Sequence, residues 1–217
     1  ACKIKVIQIA LPRLKTIYFL LVRSTTLFKS RSLAVVNQEA VSLVLGANGA
    51  VDQLIIYDFM KKIVEFSKIP NAIINQAISP LISAGRDKIL IRRTVAIRFF
   101  LSVISYIITV LFIEPASEVI TGMQLNNLTY YILIYGTLIV LAPMNYFYSS
   151  SVLLPFNHAN KIFETSLYGT GVLLIGLMFL HVTGHYELSA YLFLMATVEL
   201  LIVLQRFWFI RRNILTQ

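Results

Sequence analysis

Residues 94–113 read TVAIRFFLSVISYIITVLFI and carry a single charge, Arg98, near their start. At about 1.5 Å per residue, about 20 residues of helix cover the roughly 30 Å of a bilayer's hydrocarbon core. A soluble protein has no place to hide such a run, so this stretch reads as a membrane span. Three later segments match it: residues 128–149, 165–181 and 188–210, the last with Glu199 near its middle. Residues 114–127, 150–164 and 182–187 read as the polar connections. The composition agrees: 58% of the 217 residues are hydrophobic and 13% charged, with mean hydropathy +0.77, whereas soluble domains carry about 25% charged residues.

Working back toward the N-terminus, the signal weakens. Residues 20–45 have span length but contain Arg23, Lys29, Arg31 and Glu39. Residues 53–84 contain Asp58, Lys61, Lys62, Glu65 and Lys68, then Pro70 and Pro80. The GANGA sequence at 46–50 reads as the turn between them. The flanks complete the division: residues 1–19 as a cytoplasmic or interfacial amphipathic segment, and 211–217 as a cytoplasmic tail.

Basic residues orient the chain. Formal charge is +9, from 19 Lys and Arg against 10 Asp and Glu. In a soluble protein that excess would suggest nucleic acid; in a membrane protein it marks cytoplasmic loops. Residues 85–93 hold Arg86, Lys88, Arg92 and Arg93, the tail holds Arg211 and Arg212, and 150–164 holds Lys161. The alternate connections carry neither Lys nor Arg. This alternation predicts an all-α, polytopic transmembrane bundle of about six spans with both ends cytoplasmic, and no nucleic-acid partner.

The least apolar spans are the most informative. At about 100° per residue, Asp58, Lys61, Lys62 and Glu65 share one helix face, which continues through Ala72, Gln76, Ser79 and Ser83 with Lys68 at its edge. Two readings compete: a solvated face of a surface helix, or the wall of a water-filled cavity, since ionisable residues inside spans face cavities or pair with one another. Asp58 with Lys62 and Lys61 with Glu65 stand at i, i+4 spacing, which allows partial self-neutralisation. Ser24, Arg31, Gln38 and Ser42 repeat the pattern in the first span beside Glu39, and Tyr131, Tyr135, Ala142, Asn145 and Ser149 repeat it in the fourth. Tyr130, Tyr131, Tyr146 and Tyr148 also suit an interfacial aromatic belt. The candidate cavity set is therefore Arg23, Arg31, Glu39, Asp58, Lys61, Lys62, Glu65, Lys68, Gln76, Asn145 and Glu199.

The chemistry expected of that set is binding, not catalysis. No GxSxG, Walker or HExxH sequence occurs. Cys2 is the only cysteine, and His158, His181 and His185 make no convincing metal set, so no cofactor or metal is expected. A cavity near Arg23, Arg31, Lys61, Lys62 and Lys68 favours an anion such as phosphate or pyrophosphate. Glu199 could equally couple to a proton or sit protonated and hydrogen-bonded.

LVLGANGAVDQLIIYDFMKKIVEFSKIPNAIINQAISPLISAGRDKILIRR, residues 43–93, resembles the seventh and eighth spans of Wzx-type polysaccharide (O-antigen) flippases. These belong to the multidrug/oligosaccharidyl-lipid/polysaccharide exporter superfamily. Residues 157–180, NHANKIFETSLYGTGVLLIGLMFL, with the following Glu199-bearing span, are similar to that family's last two helices. The resemblance implies one half of a twelve-helix exporter, namely its C-terminal six-helix half, with an N-terminal half as partner. It implies a substrate of undecaprenyl-pyrophosphate-linked oligosaccharide, flipped across the bacterial inner membrane by alternating access. A proton or sodium gradient would drive it, and a polysaccharide polymerase with its chain-length machinery would lie downstream. It assigns no individual residue. A cation-coupled multidrug exporter using Asp58 and Glu199, or a non-functional C-terminal fragment, are the alternatives.

Overall fold

Four long helices of the chain carry large apolar side chains on their outer faces, which a soluble protein would bury. The computed structural model describes residues 14–85, 87–121, 127–185 and 187–215, with the backbone alone for 14–23, 26–27 and 121. The described residues form helices and turns and contain no strand. The expected segment 1–19 falls largely outside them.

Among the described residues, eight α-helices combine into six rods. They are α1 (Leu14–Ala47), α2 (Val51–Ser67) with α3 (Ile69–Gly85), α4 (Lys88–Thr121), α5 (Leu128–Tyr135) with α6 (Leu138–Phe147), α7 (Ala159–Val182) and α8 (Leu188–Ile210). Wide π-helical turns extend α6 over Tyr148–Leu153 and α8 over Arg211–Leu215. The architecture is an all-α bundle of about six spans. Lys88–Ile120, Leu128–Leu153, Ala159–Val182 and Leu188–Leu215 are long and apolar enough to cross a membrane, which makes the chain a membrane protein. Ile97, Phe100, Ile104, Leu111 and Phe112 on α4, and Ile175, Met178 and Phe179 on α7, point outward as lipid-facing side chains would.

Several boundaries differ from expectation, and three of them have a clear local reason. The single helix expected over 53–84 breaks at Lys68. Pro70 lacks an N–H and fits the first turn of a new helix. α4 starts earlier than residue 94, since the Asp87 side chain accepts the Ile89 N–H at 2.8 Å and so caps the helix. It also continues past residue 113 through Pro115 to Thr121, taking in Glu114 and Glu118, which the hydropathy had assigned to a loop. The GANGA turn is as expected, with Gly49 at a φ of 69°, a conformation in which glycine is unstrained.

Around the bundle, α1 packs on α7, α7 on α8, α8 on α5 and α6, and these in turn on α4. α2 and α3 close against α4, α6 and the π-helical turn, and α2 meets α1 next to their connecting turn. Gly169 and Gly176 let α7 and α8 approach closely: a β-carbon at either would collide with the Ile202 or Leu194 side chain. Apolar packing is split into two cores. One joins Val41, Leu45, Tyr57, Met60, Ile132, Leu173 and Tyr191 at the end that holds the GANGA turn. The other joins Ile82, Ile91, Phe147, Val152, Ile162 and Ile210 at the end that holds Asp87 and the C-terminal turn.

Candidate functional site

Between the two apolar cores lies a cavity of about 560 Å³, within the range of small-molecule sites. All six rods contribute. Arg31, Asn37 and Gln38 come from α1, Lys61, Glu65 and Lys68 from α2 and its break, Asn71 from α3, and Arg98 from α4. Tyr135, Asn145 and Ser149 come from the fourth rod, Ser166 from α7, and Glu199 and Arg206 from α8. Five cations face two carboxylates among these side chains.

The cavity collects part of the expected set. Arg31, Lys61, Glu65, Lys68, Asn145 and Glu199 line it. Asp58, Lys62 and Gln76 do not: all three are exposed and lie off the cavity wall. The helical phase accounts for the correction: at about 100° per residue, Glu65, Lys68 and Ala72 stand within about 40° of Lys61 and line the wall, whereas Asp58 and Gln76 stand about 60° and Lys62 about 100° to one side. Asn71 and Asn75, on the opposite flank of the same arc, are buried. Glu39 is not on the wall either, but it reaches Lys61, with Nζ 2.6 Å from Oε1. Lys61 is thus neutralised across two helices rather than by Glu65 within its own. The side chain of Arg23 lies outside the described residues. In the fourth rod, Tyr135, Ala142, Asn145 and Ser149 line the cavity together as their spacing predicts, while Tyr131 does not. Of the expected aromatic belt, Tyr130 and Tyr146 are exposed, but Tyr148 is buried.

Two buried arginines dominate the interior, and neither stands in the cavity set expected from sequence. Arg206 donates from Nε to Thr165 Oγ1 (2.9 Å), and from Nη2 to Ser166 Oγ (2.9 Å) and the Ile162 carbonyl (3.1 Å). Its Nη1 donates to Asn145 Oδ1. The other end of that amide donates from Nδ2 to Glu199 Oε1 at 2.6 Å. Arg206 and Glu199 are therefore a charge pair joined through a neutral side chain, which lowers the cost of holding both away from water.

Arg98 is fully buried. It donates from Nη1 to Asn75 Oδ1 (2.9 Å) and from Nη2 to the Pro143 carbonyl (3.1 Å), and lies 5.0 Å from the centre of the Phe147 ring. Asn75 is itself fixed: Oδ1 also accepts from Ser151 Oγ (2.8 Å), and Nδ2 donates to Ser150 Oγ (3.2 Å). One turn away, Asn71 Nδ2 donates to Ser102 Oγ at 2.9 Å. The sequence did hold a signal for both arginines: each is a lone cation within an apolar run, at a depth where exposure to lipid is costly. No group of three or more metal-ligating side chains occurs among the described residues.

Comparison of the chain with protein-family models, with curated proteins and with solved structures gives no match.

Proposed function

We propose that this protein is a transporter that moves an anionic, lipid-linked oligosaccharide across the bacterial inner membrane by alternating access. The observation that carries the reading is the cationic cavity inside an apolar-surfaced bundle: Arg31, Lys61, Lys68, Arg98 and Arg206 against Glu65 and Glu199. Cations enclosed by low-dielectric walls attract phosphate oxygens strongly, because the field is focused rather than screened. The resemblance of residues 43–93 and 157–180 to Wzx-type flippases supplies the substrate, undecaprenyl-pyrophosphate-linked oligosaccharide. It also supplies the opposing wall, a further six-helix bundle that would rock against this one about the bound substrate. In this reading both chain ends are cytoplasmic, the pyrophosphate sits among the cations and the lipid tail stays in the bilayer. Asp58, which lies off the cavity wall, gives little support to the cation-coupled drug exporter that would use it with Glu199.

The test is genetic. A strain lacking the gene is complemented with wild type, Lys61→Ala or Arg31→Ala, and surface polysaccharide and membrane insertion are measured. The expected result is lost polysaccharide with normal insertion. Normal polysaccharide in both variants overturns the proposal, and drug sensitivity of the deletion strain with intact polysaccharide replaces it with the drug-exporter reading.

A further inference from the structure

We propose that Arg98, held by Asn75 with Asn71 one turn away, is a dedicated binding site for a phosphate-type oxyanion at the inner wall of the cavity. The two buried arginines differ in one respect that decides the matter. Arg206 is offset through Asn145 by Glu199. Among the described residues, Arg98 is hydrogen-bonded only to neutral oxygens, those of Asn75 and Pro143, and packs on an aromatic face. Its Nε is buried and has no hydrogen-bond partner among the described residues. A buried charge is normally paired, since removing it from water is costly. A fully buried guanidinium that lines a cavity and keeps one edge unused is therefore organised for a counterion that arrives from the cavity.

The surroundings favour an oxyanion. A guanidinium offers five N–H donors in a planar fork that matches the oxygens of phosphate. Two of its nitrogens are already anchored, so the free Nε edge is held still by Asn75, which Ser150 and Ser151 brace in turn. Asn71 stands one turn before Asn75, and Ser102, the Asn71 partner, stands one turn after Arg98. The two helices run antiparallel, so the ladder places Asn75 opposite Arg98 and Asn71 one turn further on, and Asn71 lines the same cavity. A polar amide is thus available to a further oxygen. Arg98 stands ten residues after Lys88, the first residue of α4. The helical rise places it about 15 Å along the axis, and about 7.5 Å beyond Arg93, the last of the exposed basic residues near the start of α4.

The site itself stands on this geometry; only the identification of the oxyanion with a transported pyrophosphate rests on the proposed function. The oxyanion could instead belong to a lipid headgroup, and the test separates the two sources. The purified full chain in uncharged detergent is titrated with sodium pyrophosphate and with inorganic phosphate, following its thermal unfolding midpoint. Parallel samples in nanodiscs compare phosphatidylcholine with phosphatidylglycerol. Wild type is expected to show a saturable upward shift. Arg98→Gln should weaken the apparent affinity at least tenfold and Arg98→Lys at least fivefold, because lysine lacks the Nε edge. Lys62→Gln, off the cavity wall, should leave it unchanged. An Arg98-dependent shift with phosphatidylglycerol but not pyrophosphate assigns the oxyanion to a headgroup and upholds the site. If neither probe depends on Arg98, the proposal is overturned. Should the Arg98 variants fail to fold, Ser150→Cys, on the cavity wall beside Asn75, decides it in a Cys2→Ser background. Saturating pyrophosphate or phosphatidylglycerol should slow maleimide labelling at least fivefold, and no protection by either overturns the site. Arg98-dependent pyrophosphate binding with normal polysaccharide in the Arg98 variants removes the transport reading alone. Arg98-independent binding with polysaccharide lost on cavity mutation removes the site alone.

Discussion

Asn145 holds Glu199 by a 2.6 Å hydrogen bond while the opposite end of its side chain accepts from Arg206. The carboxylate and the guanidinium stand two turns apart on α8, so α6 connects two positions of its neighbour through one amide. The amide has a defined orientation only because its donor end meets the anion and its acceptor end the cation.

Asn145→Ala removes that link and leaves both charges without their shared partner. Truncating one member of a buried charged network costs about 3–5 kcal/mol when the remaining charge is fully enclosed. Glu199 is only half-buried. A loss of about 2 kcal/mol is therefore expected, read as a lowered thermal unfolding midpoint in detergent. Asn145→Ala combined with Glu199→Ala should cost less than the two changes added, and strict additivity would show that the bond does not couple them.

Arg206 does several jobs with one planar group. It bonds Thr165, Ser166 and the Ile162 carbonyl on α7 as well as Asn145 on α6. Arg206→Lys keeps the charge but cannot reach both helices. It is expected to lower stability nearly as much as Arg206→Gln. A midpoint for Arg206→Lys equal to wild type would mean that charge alone matters at this position.

Glu39 and Lys61 tie α1 to α2 across the cavity mouth, with Lys61 partly buried. Lys61→Glu places two acids together, and Glu39→Lys two bases. Each single change should reduce the yield of folded protein, and the double exchange should restore most of it. Restored folding with polysaccharide still absent would separate the structural pairing from substrate binding.

The α7–α8 contact depends on Gly169 lying against Ile202. Overpacking a tight contact costs about 1–3 kcal/mol, so Gly169→Val should lower the unfolding midpoint. Ile202→Ala in the same chain should recover part of the loss by returning the space. If Gly169→Val is as stable as wild type, the helices are not locked at this distance.

Water in the cavity can be read by thiol chemistry in a Cys2→Ser background. Gln38→Cys, on the cavity wall, should react with a charged maleimide that does not cross membranes. Ile104→Cys, on the outer face of α4, should not. Equal reactivity would mean that the polar wall is not hydrated. The side from which Gln38→Cys labels also tests the orientation drawn from the basic loops.

Much of this protein was legible along the chain because a bilayer imposes a length and a polarity that single segments either meet or fail. Residues 94–113 and 188–210 announced spans by themselves, and the helical spacing of Tyr135, Ala142, Asn145 and Ser149 placed four side chains on a cavity wall before any contact was known. Periodicity gives the phase of a helix but not how far its buried arc extends. Asp58 and Gln76 stand on one flank, about 60° from Lys61, and end up exposed, while Asn71 and Asn75 on the other flank turn inward. Nor can spacing within one helix reveal a partner on another: Lys61 finds Glu39, Asn145 finds both Glu199 and Arg206, and Arg98 finds Asn75. A charge within a span costs the same wherever it occurs in the sequence. Whether it is paired, as Arg206 is, or left with an open edge, as Arg98 is, depends on which neighbours the packing of six rods brings within about 3 Å, the reach of a hydrogen bond.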